Sequence, residues 1–211
     1  MKRAVAVVAA AFVALVAPAD TVAPVRPPAV VGVSVVRATG PADRATGFVA
    51  GRDRVVTVAH VLDGGGTVTV SGPDGRRRRA EVLKADRRLD LAVLGVPGLG
   101  GRPPSVGGGA PARVVLPPSV GGGPPARVVL PQRSRLATLS RRIDAHLDGA
   151  RLPALELRAE IAVGDSGAPV VTRGGELVGV VFARSRTRAR IAYAVEGAAV
   201  PGLLGAPRPL D

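Results

Sequence analysis

The hydrophobic positions of this chain fall in short, valine-rich runs that glycine, proline and charged residues separate. Short β-branched runs are typical of strands, and frequent Gly and Pro between them are typical of turns. In the first half, the runs that share this pattern predict strands near 30–37, 46–50, 54–58, 67–70, 79–85 and 90–94. In the second half we predict strands at 155–161 and 170–172, and helical periodicity appears only near 135–147 and 197–204. The pattern therefore predicts an all-β protein.

The chain length sets how these strands can be grouped. The 211 residues are enough for two small barrels that share a core interface. We predict the first antiparallel β-barrel over 30–101 and the second over 132–205. Residues 102–131 would connect the two barrels, and residues 206–211 would form a short tail.

The predicted connection contains a tandem repeat. The 14 residues 103–116 recur as residues 117–130 with one change, Ala110 against Pro124. Two copies are too few for a solenoid. We expect one Ala-Arg-Val-Val-Leu copy to form the first strand of the second barrel and the other to loop out or form an edge strand. Loop-closure entropy makes such a surface insertion inexpensive.

The N-terminal segment has the features of an export signal. Residues 1–19 begin with a basic pair, continue with an apolar stretch and end in Ala-Pro-Ala, an A-x-A-like cleavage site. An uncleaved membrane anchor is the alternative, although the apolar stretch is short for a spanning helix. In both cases we expect the folded part to lie outside the cytoplasm, in the cell envelope or secreted. The Pro-rich residues 20–29 would be an exposed lead-in.

Charge and cysteine content limit the chemistry. The formal charge is +13, almost all of it from arginine, and the chain has no cysteine. Disulfides, thiol chemistry and Cys-coordinated zinc are therefore excluded. The arginines, including four in a row at 76–79, either form a surface with weak affinity for polyanions or reflect a biased composition on a solvated face. With only one Tyr and three Phe, stacking platforms for single-stranded nucleic acid are almost absent, so we expect no specific nucleic-acid partner.

One serine lies in a sequence that favours nucleophilic chemistry. Ser166 lies in Gly-Asp-Ser-Gly-Ala-Pro, between two predicted strands. A serine hydroxyl needs a base to take its proton and donors to hold the oxyanion that results. Gly164, two residues earlier, allows the backbone N–H groups of Gly164 and Ser166 to point the same way, which an oxyanion hole requires.

A base and an orienting acid are also present. His60 follows an apolar, β-branched run, and Asp90 opens another such run. A carboxylate at that position can accept a hydrogen bond from the imidazole and fix its tautomer. The second histidine, His146, lies in a charged segment, and we expect it at the surface without a role.

Together these motifs resemble the chymotrypsin/trypsin-fold serine proteases. The resemblance rests on residues 57–60 (Thr-Val-Ala-His), 90–94 (Asp-Leu-Ala-Val-Leu) and 164–169, in this order, with supporting segments at 45–49 and 174–182. It is nearest to the cysteine-free bacterial branch, namely HtrA-like and MarP-like protease domains. It implies two β-barrels with the active site in the groove between them, protein or peptide substrates, and no metal or organic cofactor.

The resemblance also implies roles for individual residues. Catalysis would use His60, Asp90 and Ser166, with the oxyanion held by the amides of Gly164 and Ser166. Glu160 would lie near the base of the substrate's primary pocket and favour a basic residue before the scissile bond. The segment Phe182, Ala183 and Arg184 would pair with the substrate, and Arg184 is a candidate to neutralise Glu160.

One residue beside the serine differs from the family pattern and could affect activity. Ala168 stands where the family usually has Gly, so its methyl group is either tolerated or crowds the nucleophile turn. The first hypothesis is an extracytoplasmic serine endopeptidase that works through an acyl-enzyme. The alternative is a catalytically impaired protein of the same fold that binds a partner in the cell envelope. Membrane association is expected only if the N-terminal segment is retained.

Overall fold

The chain folds into twelve strands and two short helical turns within the residues that the structure describes. The computed structural model describes residues 28–100, 124–147 and 150–205. The first six strands are β1 (Val30–Val36), β2 (Asp43–Gly51), β3 (Arg54–Val58), β4 (Thr67–Ser71), β5 (Arg77–Asp86) and β6 (Leu91–Gly95). The other six are β7 (Pro125–Leu130), β8 (Arg133–Leu147), β9 (Ala150–Arg158), β10 (Pro169–Thr172), β11 (Leu177–Arg184) and β12 (Ile191–Glu196). A 3-10 turn spans His60–Leu62, and helix α1 spans Ala199–Leu204.

Several predicted segments fall outside this part of the chain. They are the signal segment 1–19, most of the lead-in, the first copy of the repeat and the tail at 206–211. Over the described ranges, no helix combines the length and the apolar character that crossing a bilayer requires.

The strands form two closed antiparallel barrels. The first has the strand order β1-β2-β3-β6-β5-β4 and the second β10-β11-β12-β9-β8-β7. Closure leaves no long free edge for aggregation. The all-β, two-barrel prediction is therefore confirmed.

The two barrels pack through a shared apolar core. One cluster of buried side chains joins Phe48 and Leu94 of the first barrel to Leu152 and Val180 of the second. Leu203 of α1 belongs to the same cluster, so the helix covers the interface. Because apolar burial is the main favourable contribution to folding, this cluster holds the two halves of the site in one arrangement.

The second barrel begins with a strand from the repeat, as the sequence analysis expects, and therefore before the boundary at residue 132. Its first strand, β7, lies within the second copy of the repeat, so the barrel begins at Pro125 rather than at residue 132. Ala126, Val128 and Leu130 are buried, whereas Arg127 is exposed. This alternation gives β7 an inward apolar face, and the strand pairs with both β8 and β10.

The helical prediction for 135–147 is wrong, because this segment is the long strand β8. Leu136, Leu139 and Ile143 have helical spacing in sequence, but Leu136 is exposed. A bulge after Leu139 interrupts the two-residue period of the strand. Before the bulge Leu139 packs into the core of the second barrel, and after it Ile143 packs against the shared core. The predicted helix near 197–204 is present as α1, and β9 ends at Arg158, three residues before the predicted end of that strand.

Candidate active site

The pairing of β3 with β6 brings His60 and Asp90 together. Val58 at the end of β3 pairs with Leu91 at the start of β6, so the residues just beyond them meet at one end of the first barrel. The distance between His60 Nδ1 and Asp90 Oδ2 is 2.7 Å, and the His60 backbone N–H donates to Asp90 Oδ1 over 2.8 Å. Asp90 is 2% exposed, whereas the His60 side chain is 41% exposed.

Both carboxylate oxygens of Asp90 therefore contact His60. This arrangement places the imidazole proton on Nδ1 and leaves Nε2 as the nitrogen that can accept a proton. Asp90 also has a φ of +50°, in the left-handed region that Asp tolerates better than most residues. Its carbonyl accepts a hydrogen bond from the Ala59 amide over 3.0 Å, which fixes this conformation.

In the turn around Ser166, backbone amides that donate a hydrogen bond alternate with amides that do not. The Asp165 amide donates to the Ala162 carbonyl, and the Gly167 amide donates to the carbonyl of Val181. The amides of Gly164 and Ser166 find no acceptor among the described residues. Gly164 has a φ of +92°, which only glycine adopts readily. The described residues therefore leave two backbone donors beside the serine without an acceptor.

Two buried threonines fasten this turn to the first barrel. The Thr46 amide donates to the Ser166 carbonyl over 2.7 Å, and Thr46 Oγ1 donates to the Gly164 carbonyl over 2.8 Å. Thr57 Oγ1 in turn donates to the Thr46 carbonyl over 2.7 Å. Thr57 lies three residues before His60, so the serine turn is bound to the strands that lead to the histidine. The sequence signal is one buried hydroxyl in each of two strands, β2 and β3, and the sequence analysis assigned these hydroxyls no role.

A further residue that the sequence analysis missed is Arg135, on β8. Asp165 is 6% exposed, and its Oδ2 accepts a hydrogen bond from the Ala162 amide over 2.8 Å. Arg135 Nε lies 3.7 Å from the same oxygen. This nitrogen is buried and makes no hydrogen bond with the described residues. The arginine supplies the positive charge opposite the one carboxylate within the serine turn.

The three residues of the predicted substrate edge lie at the end of β11. Ser166 Oγ donates to the Phe182 carbonyl over 3.4 Å, and a bulge between Val181 and Ala183 accompanies this contact. Among the described residues β10 pairs with β11 only as far as Val180. Beyond Val181, no described strand pairs with the side of β11 that faces the serine.

Glu160 lies close to a different arginine from the one suggested by the sequence. Its carboxylate is 3.8 Å from Arg135 Nη1, whereas Arg184 is exposed and has no carboxylate partner in the described part of the chain. The Glu160 side chain is 72% exposed. Arg135 thus lies between Glu160 and Asp165, close to both carboxylates.

Ala168 is accommodated without crowding the serine turn. The residue is fully buried in the core of the second barrel, and its φ is not positive. Its amide donates to the Asp165 carbonyl over 3.1 Å, and its carbonyl accepts from the Val181 amide over 2.9 Å. The extra methyl group therefore packs as a small core side chain.

The chain is similar to known serine proteases in sequence and in structure. The family model "Trypsin-like peptidase domain" matches residues 45–180. The serine protease Rv3671c of Mycobacterium tuberculosis is 31% identical over 172 residues, which are 78% of this chain and 43% of that protein. The Halomonas elongata protein named "Probable periplasmic serine endoprotease DegP-like" is 26% identical over 154 residues, which are 71% of this chain and 32% of that protein. The chain thus spans less than half the length of these curated relatives.

A solved structure has the same arrangement of barrels. The crystal structure of the active form of the Rv3671c protease superposes with a TM-score of 0.71 at 26% identity. The match covers 87% of this chain and 84% of that chain.

Proposed function

The chain belongs to the trypsin-like peptidase family, among the chymotrypsin-fold, HtrA-like serine proteases, and we propose that it is an endopeptidase that works through an acyl-enzyme. The observation that carries the proposal is the contact of His60 with both carboxylate oxygens of the buried Asp90. Such a contact orients a base, and Thr46 links the serine turn to the strand that precedes this histidine.

The first half of the reaction forms the acyl-enzyme. Ser166 Oγ turns from the Phe182 carbonyl towards His60 and attacks the scissile carbonyl while His60 Nε2 takes its proton. The buried Asp90 stabilises the imidazolium that results. The oxyanion is held by the amides of Gly164 and Ser166, and removing one such donor typically costs about 10²- to 10³-fold in rate. His60 then gives the proton to the leaving amine, and the peptide bond breaks.

The second half releases the acyl group. Water takes the place of the leaving amine, His60 takes a proton from it, and the hydroxide attacks the ester carbonyl of Ser166. The same two amides hold the second oxyanion. Collapse of this intermediate breaks the ester bond, and His60 returns the proton to Ser166 Oγ. The chain's own residues supply each group that these steps require.

The acyl half of the substrate would lie along the open edge of β11. Backbone groups from Phe182 to Arg184 would pair with it as an added strand. Glu160 would favour a basic side chain before the scissile bond, although Arg135 reduces the negative charge at that position. A peptide library in which the preferred residue is apolar and unchanged by Glu160→Ala would rule out this role.

We place the protein outside the cytoplasm, with protein or peptide substrates. The support is the basic, apolar and small-residue pattern of residues 1–19, together with the word "periplasmic" in the name of the Halomonas elongata relative.

Hydrolysis of an unstructured protein such as casein tests the proposal. We expect the wild-type chain to cleave it and Ser166→Ala and His60→Ala to lose cleavage while melting cooperatively. Ser134→Ala, which removes an exposed serine on β8, is the matched control and should retain activity. A folded wild-type chain that cleaves neither casein nor a peptide library would instead support a binding protein of this fold.

A further inference from the structure

A cleft of about 650 Å³ opens beside the serine turn. Its walls come from β1 and the start of β2, from the β4–β5 hairpin, from the turn between β7 and β8, and from residues 163–165. The last of these segments contains Gly164, one of the two amide donors described above. A Cβ atom added to Gly164 would lie 4.0 Å from the Arg44 carbonyl oxygen, so the cleft begins next to the oxyanion donors.

The cleft is lined by positive charge that no carboxylate offsets. Arg44, Arg77 and Arg133 all line it and are all exposed. None of the three forms an ion pair with a described residue. The one acidic residue among the lining residues is Asp165, which is buried and lies next to Arg135. The three arginines come from three separate segments of the chain, so the fold concentrates their charge at one place.

No described residue of β11 lines the cleft, which reaches the serine turn only as far as Asp165. On one side, Ser166 Oγ contacts the Phe182 carbonyl of β11. On the other, the Ser166 carbonyl accepts the hydrogen bond from the Thr46 amide, and Thr46 lines the cleft. A peptide whose acyl half lies along β11 must therefore continue past Gly164 and towards Arg44.

We propose that this cleft binds the part of the substrate that follows the scissile bond and that it selects acidic side chains there. The inference rests on the proposed function, because it takes the direction of the peptide from the acyl half. The Arg44 carbonyl oxygen is 4.0 Å from a Cβ placed on Gly164, and each residue of an extended peptide advances about 3.3 Å, so a peptide that passes Gly164 would present its second and third residues after the bond to this cleft. Carboxylates there would pair with guanidinium groups and also increase the rate of encounter.

Two peptides with the same acyl half test the preference. One carries Asp at the second and third positions after the scissile bond, and the other carries Asn, which has the same shape without the charge. We expect kcat/KM to be about three- to tenfold higher for the Asp peptide, because each exposed pair contributes modestly. The ratio should decrease with salt, since exposed charges are screened over about 10 Å at 0.1 M.

Arginine substitutions test whether the preference for acidic residues arises in the cleft. Arg44→Gln and Arg77→Gln should each reduce the Asp-to-Asn ratio, and the triple variant that also carries Arg133→Gln should bring it close to one. Arg173→Gln removes the same charge from the exposed β10–β11 turn, outside the cleft, and should leave the ratio unchanged. Equal kcat/KM values for the two peptides, or equal effects of Arg44→Gln, Arg77→Gln and Arg173→Gln on the ratio, would overturn the inference while leaving the protease proposal intact.

A binding measurement separates the two proposals. Fluorescence anisotropy with Ser166→Ala compares the two peptides without cleavage. Tighter binding of the Asp peptide that disappears in Ser166→Ala/Arg44→Gln/Arg77→Gln/Arg133→Gln supports the acidic preference even if the wild-type chain cleaves nothing. Equal binding of both peptides to Ser166→Ala contradicts it.

Discussion

Replacement of Gly167 by alanine tests how the serine turn is held against the first barrel. A Cβ atom at this position would lie 1.9 Å from the Thr46 carbonyl oxygen, far inside the 3.0 Å below which real Cβ contacts are essentially never seen. The serine turn and strand β2 would have to separate by about 1 Å. That shift strains the bonds from the Thr46 amide to Ser166 and from Thr57 to Thr46, each of which contributes about 1 kcal/mol.

A matched substitution isolates the steric part of this effect. Gly167 and Gly40 have almost the same φ, +88° and +89°, but a Cβ at Gly40 meets nothing within 4 Å. The left-handed conformation costs an alanine about 1–2 kcal/mol at either position. We therefore expect Gly40→Ala to lower the free energy of unfolding by about 1–2 kcal/mol and Gly167→Ala by about 3–4 kcal/mol.

The assay combines denaturant unfolding with the rate of fluorophosphonate labelling. A misplacement of about 1 Å in an active site can cost about 10²-fold in rate, so Gly167→Ala should label at least that much more slowly. Gly40→Ala should label at the wild-type rate. Equal losses of stability in the two variants, with labelling unchanged in Gly167→Ala, would refute the role assigned to this contact.

Three further predictions concern Arg135, Glu156 and the tandem repeat. Arg135→Met should lower kcat more than it raises KM, because it leaves the Asp165 carboxylate without its opposite charge. Arg135→Lys, which keeps the charge, should restore part of kcat. An unchanged kcat in Arg135→Met would contradict this role. Burial raises the pKa of Glu156, but hydrogen bonds from Arg188 and Arg141 more than offset burial and hold that pKa below its ordinary value of 4.5. The ionised Glu156 with its two arginines therefore stabilises the fold above about pH 4.5, and this contribution is lost as the pH falls through the lowered pKa. The melting temperature of the wild type should therefore decrease more steeply with acid than that of Glu156→Gln. Deletion of residues 103–116 should leave the melting temperature nearly unchanged, because β7 comes from the second copy of the repeat, and a collapse of thermal stability would show that the first copy is required.

The features of this protein that could be predicted from sequence are those that depend on a few neighbouring residues. Valine-rich runs between glycines predicted the strands, because β-branched residues favour extended backbone and each run shows this preference by itself. His60 and Asp90 could be proposed as partners because each directly follows or opens such a run. The pairing of Val58 with Leu91 then places them at the same end of the barrel.

The parts that could not be predicted depend on contacts between distant segments. Arg135 could not be linked to Asp165, because its segment has helical spacing and becomes a strand only through pairing with β7 and β9. The two hydrogen bonds from Thr46 to the serine turn join the two barrels, and no local pattern encodes such a bond. The charge of the cleft likewise comes from three separate segments, so it becomes visible only in the folded chain.

Mass spectrometry of the fluorophosphonate-treated chain tests the central claim most directly. Our account predicts one adduct per chain on Ser166, formed by the wild type and absent from a folded His60→Ala variant. A cooperatively folded wild-type chain that carries no adduct, or that carries it on another serine, would contradict the account.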